Sequence, residues 1–111
     1  MGKITLDLPG SFKSLKLKNL ESILKEELYS QRRRLPLDDF IREGGWPDDD
    51  TLHTTLKSVD DNGAVTTVEV QLSFDEVCST GCSDIERRGS GWGLLFIYFD
   101  HKTGVAHCEE Q

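Results

Sequence analysis

The chain has 111 residues, 36% of them hydrophobic with two Trp, two Tyr and five Phe, enough for one modest core and a single domain spanning 1–111. Its formal charge of −7 argues against non-specific nucleic-acid binding, which needs a positive field to displace counterions, and no apolar run nears the roughly 20 residues that cross a membrane. Three cysteines cannot all pair within one chain and Met1-Gly2-Lys3-Ile4-Thr5-Leu6-Asp7 lacks a secretory apolar region, so the expectation is a soluble cytoplasmic protein with reduced thiols.

Ile4, Leu6 and Leu8 alternate with polar residues and predict a strand that Pro9-Gly10 ends. Residues 12–18 fit a second strand imperfectly, because the alternation breaks. From Asn19, a suitable N-cap, Leu20, Ile23, Leu24, Leu28 and then Leu35 predict a helix with one buried stripe. Arg32, Arg33 and Arg34 fall in its last turn, where cations complement the helix dipole, and Pro36 stops it. A short helical turn over 38–43 ends at Gly44-Gly45.

The remainder reads as antiparallel sheet. Segments 52–59 and 64–74 flank Asp60-Asp61-Asn62-Gly63. A three-residue loop with Gly63 left-handed sets Leu56 opposite Val68, Thr54 opposite Val70 and Leu52 opposite Leu72, so the larger apolar residues share a face. A two-residue Asn-Gly turn sets Leu56 opposite Glu69 and breaks that face. Residues 93–99 are apolar at nearly every position and predict a central strand covered, at least in part, on both faces. A turn at 100–104 leads to a last strand over 105–108. Together these predict an α+β domain, with one main helix and a short helical turn packed on a four- to five-stranded antiparallel sheet.

Four features bear on function. Cys78, Cys82, His101 and Cys108 form a Cys₃His set that suits zinc, although Cys78 and Cys82 are separated by three intervening residues with no second close pair; a Cys78–Cys82 disulfide and unligated thiols are the alternatives. Arg87-Arg88-Gly89-Ser90-Gly91-Trp92-Gly93 has the glycines of an anion cradle but no nucleotide fingerprint, and reads more simply as a flexible loop carrying Trp92 over the core. Asp48, Asp49 and Asp50 follow Trp46-Pro47 as a solvated turn or as a surface for a basic partner, without calcium-loop spacing. Tyr29, Arg32 and Arg33 lie away from the helix's buried stripe, as an interface anchor or as an internal cation–π pair of Tyr29 with Arg33.

Charge is sorted along the chain. Residues 1–34 carry eight Lys/Arg against four Asp/Glu, and residues 35–111 carry five against sixteen. Nothing in the spacing assembles a nucleophile with a base, so no enzyme is expected. The function expected is a non-catalytic protein-binding module, inhibitor-, antitoxin- or immunity-like, that engages a basic protein partner. The alternative is a zinc- or redox-linked domain built on Cys78, Cys82, Cys108 and a His, and a homodimer is a third possibility.

Overall fold

A computed structural model describes residues 4–42, 44–79 and 86–110, and for residues 79, 86, 87 and 110 the backbone alone. The elements are β1 (Ile4–Leu6), α1 (Pro9–Lys13), α2 (Leu20–Ser30), 3₁₀ turns at Arg32–Arg34 and Leu37–Phe40, β2 (Trp46–Asp61), β3 (Val65–Ser79), β4 (Glu86–Asp100) and β5 (Val105–Glu110). The strands form one antiparallel sheet in the order β1-β5-β4-β3-β2. The α+β class is as expected, but the sheet dominates: β2, β3 and β4 each run 15 or 16 residues.

Two corrections concern the helical layer. Pro9 begins a helix, α1, which takes in Phe12 and Lys13, and turns follow, so the second strand expected over 12–18 does not form. Proline presets the first helical turn, and the amides exposed there find a distant acceptor. The Glu27 carboxylate on α2 accepts the N–H groups of Gly10 at 3.0 Å and Ser11 at 2.6 Å, and the Ser11 hydroxyl at 2.6 Å. That partner lies 16 or 17 residues away, so local alternation could not announce it. α2 then ends at Ser30, and the three arginines form a separate 3₁₀ turn. Leu20, Leu24 and Leu28 are buried as the stripe required, while Ile23 is half-buried.

The β2–β3 hairpin turns one residue later than either register considered. Asn62 N–H donates to the Val65 carbonyl at 3.2 Å, leaving Gly63-Ala64 as a two-residue connection with Gly63 at φ +95°, the glycine-first pattern of tight hairpins. That turn pairs Asp61 with Thr66 and Val59 with Val68, and carried onward it would set Leu56 opposite Gln71. A bulge at Lys57 adds one residue to β2 and returns Leu56 to Val70 and Thr54 to Leu72. The expected apolar face therefore survives in a shifted register.

The Gly-rich segment is strand rather than loop. Gly91 and Gly93 face the core, and a Cβ at Gly91 would stand 2.6 Å from the Phe74 ring while one at Gly93 would run into Phe40. These glycines let aromatic rings lie flat on the β4 backbone. The core cluster consists of Leu6 and Leu8, Leu24 and Leu28 of α2, Leu35, Leu37, Leu52, Val68, Val70, Leu72, Phe74, Leu95, Ile97, Phe99, Ala106 and Cys108, with Leu20 and Val77 buried outside it. All the sheet residues in that group project from one face, the face that the helices cover.

Candidate interaction surface

Among the described residues no helix lies over the other face of the sheet. Register and alternation place Trp92, Leu94, Phe96 and Tyr98 of β4 there, flanked by Gln71, Glu69 and Thr67 of β3 and by Glu109, His107 and Val105 of β5. Trp92 is 44% exposed and Val105 42%, while Leu94, Phe96 and Tyr98 are half-buried by their neighbours alone. Tyr98 stacks on His107 at 5.2 Å between ring centres and lies 6.4 Å from Phe96. Phe96 stands in register between Glu69 and Glu109. Among the described residues helices cover one face of this strand, while on the other the cover is partial and comes from side chains of the neighbouring strands. The result is an apolar stripe along the middle of the sheet with carboxylates beside it, and no ion pair or side-chain hydrogen bond engages the Glu69 carboxylate among the described residues.

The residues marked as partner-binding in the sequence meet one another. The Arg32 guanidinium donates to Asp50 Oδ1 at 3.0 Å and to the Tyr29 carbonyl at 3.0 Å, and sits 4.3 Å above the Tyr29 ring. The cation–π partner of Tyr29 is therefore Arg32 rather than Arg33. Arg33 reaches Asp49 at 3.9 Å, with its side chain 85% exposed. Tyr29 Oη donates to the Asp50 carbonyl at 3.1 Å. Asp48 faces Asp75 across β2 and β3, and Arg88 Nη1 bridges the two at 3.0 and 3.1 Å. Arg32 and Arg88 have their pKa raised, chiefly by the side-chain hydrogen bonds to Asp50 and Asp48. The carboxylates of Asp48, Asp49 and Asp50 come within 4.8 Å of one another, and arginines supply their counter-charge. The run is not a turn: Trp46, Pro47 and Asp48 pair with β3, with Pro47 on the edge strand where a missing N–H is tolerated.

The zinc set does not converge among the described residues. Cys82 lies outside them. Cys108 is opposite Ile97 and so in line with Val68, whereas Cys78 is ten residues further along β3, roughly 33 Å away at 3.3 Å per residue. His101 is beyond the other end of that ladder, where its Nε2 and Thr66 Oγ1 lie 2.7 Å apart and Phe12 packs edge-on to its ring. Cys108 is fully buried, and desolvation pushes its pKa up to about 11, so it stays a thiol at neutral pH.

Sequence reasoning missed Glu76. It is 1% exposed on the covered face, where Oε1 accepts the Arg42 N–H at 2.9 Å and Oε2 the Gly45 N–H at 3.0 Å. This carboxylate pins the segment entering β2 onto the sheet. The only signal in the sequence is parity, since Glu76 falls in step with Leu72 and Phe74.

What these features define is an α+β domain with a half-covered sheet, an internally balanced arginine–aspartate cluster and an open aromatic stripe. No family model, curated protein or solved structure matches the chain.

Proposed function

We propose that this chain is a non-catalytic protein-binding module, of the inhibitor, antitoxin or immunity kind, that engages a basic partner through the open face of its sheet. The observation that carries the reading is the stripe Trp92, Leu94, Phe96 and Tyr98, a run of large side chains without a covering layer among the described residues. Aromatic residues supply the anchors of protein interfaces, and a carboxylate beside them selects cationic side chains. Glu69 stands next to Phe96, and the chain as a whole is acidic. The arginine–aspartate cluster supports the assignment by elimination, because its charges already satisfy each other.

Affinity capture from cell extract at about 50 mM and about 500 mM salt tests this, since exposed attraction is screened over about 10 Å at 0.1 M. A partner retained at low salt should be lost about tenfold on raising the salt and about tenfold with Phe96→Ser, with Arg33→Ala serving as the control that changes neither. Retention that ignores both salt and Phe96→Ser would remove the open face from the proposal.

A further inference from the structure

β4 outruns its neighbour. β5 pairs with it from Asp100 to Leu95, and over 88–94 no strand lies on that side among the described residues. In an antiparallel ladder successive residues turn their N–H and C=O groups toward opposite neighbours. Arg42 Nη2 approaches the Trp92 carbonyl from outside the sheet, so Trp92, and with it Ser90 and Leu94, turn their backbone groups to the open side. Beside this edge the segment 39–42 leaves a cleft of about 330 Å³, with Asp39, Phe40 and Ile41 on one wall and Trp92 and Leu94 on the other.

The two formal edges of the sheet are guarded differently. On β2, Glu21 Oε2 accepts the Leu56 N–H at 2.9 Å and Tyr29 Oη donates to the Asp50 carbonyl at 3.1 Å. On β1, Arg34 Nη2 donates to the Thr5 carbonyl at 2.6 Å. Side chains that bond outward backbone groups in this way block the addition of another strand. At the β4 notch the corresponding contact, Arg42 to Trp92, is 3.5 Å long and at the limit of a hydrogen bond, while the guanidinium rests on the Trp92 ring at 4.8 Å. The notch is the least firmly closed edge of the three.

We propose that residues 88–94 of β4 receive an extended basic segment of the partner protein as an added strand, in line with β5. This rests on the protein-binding reading above. Main-chain groups of the notch select an extended segment, and alternate residues of that segment would lie over Trp92 and Leu94. Charge selects its remaining side chains: Asp39 on the cleft wall has no ion pair among the described residues, Arg88 is paired with Asp48 and Asp75, and the Arg42 cation rests on the Trp92 ring. A second copy would bring further carboxylates, the chain having 20 Asp/Glu against 13 Lys/Arg.

The probe is an end-capped peptide of about nine residues alternating Lys and Val, titrated against the full chain with amide exchange followed by NMR. The Trp92 and Leu94 amides should slow by about tenfold on binding, and Arg42→Ala should tighten binding several-fold by clearing the Trp92 carbonyl. Two N-methylated peptides, blocked at odd or at even amides, separate backbone pairing from side-chain attraction. Only one of them should still bind. Equal binding by both, abolished by Phe96→Ser, would overturn the added strand and leave the open-face reading standing. Absence of binding and of protection would overturn the strand proposal, as would self-association of the free chain that protects Trp92 and Leu94, which would name a second copy as the occupant.

Discussion

Cys108 illustrates how one side chain changes meaning once it is placed. In the sequence it is a potential soft ligand; in the fold it is fully buried on the covered face, opposite Ile97. Burial raises its pKa from 9.0 to about 11, with Arg34 lowering it to a lesser extent. Because the folded value lies above the unfolded one, the protonated thiol's contribution is complete below about pH 9 and is lost as pH rises through about 11. Urea unfolding between pH 9 and pH 11 should therefore show a decline in stability that Cys108→Ala reduces by on the order of 1–2 kcal/mol. Identical slopes in the two proteins would show that the thiol does not titrate with unfolding. Glu76 makes the complementary point. A lone Glu in a strand reads as surface, and partners such as the Arg42 and Gly45 amides make its burial tolerable.

At the scale of elements, β4 is the most informative strand. Its apolar run was legible from composition, and its central place in the sheet followed, with β3 on one side and β5 on the other. Its N-terminal half was not legible, because Gly89, Gly91 and Gly93 resemble loop punctuation unless the rings that cover them are known. Gly93→Ala should cost about 1–3 kcal/mol in chemical denaturation, since the new methyl group meets the Phe40 ring. In a Phe40→Ala background the same substitution should cost less than half as much, the coupling expected of groups in contact. Equal costs in both backgrounds would mean that the strand, and not the ring, needs the glycine. The hairpin teaches a related lesson. Hydrophobic alternation identified which residues of β2 and β3 share a face, but the turn position and the Lys57 bulge compensate each other, and alternation reports only their sum.

The whole molecule is elongated, 54 × 27 × 19 Å, because three long strands set its length while the short helices cover one side. Among the described residues its first strand pairs only with its last, so the β1 edge joins segments far apart along the chain. Ala106 and Cys108 are buried at that seam and β5 is paired on both sides. A chain ending at Gly104 should consequently lose cooperative unfolding by circular dichroism, with Leu6 and Ile97 stripped of cover. A sharp transition retained by that truncation would show that β1 and β5 are appendages to the β2–β4 core.

The sequence by itself determined the α+β class, the stripe of α2, the apolar faces of β2 and β3 and the acidic balance, because each is a local period or a sum over residues. Tertiary structure alone decided that Arg32 and Arg33 meet Asp49 and Asp50, that Glu27 caps α1, and that Cys78 and Cys108 stand far apart. It also decided that one face of β4 stays open. Whether an apolar strand is covered once or twice depends on how much helix the chain can lay across its sheet. α1 and α2, at 5 and 11 residues, are enough for one layer on one side.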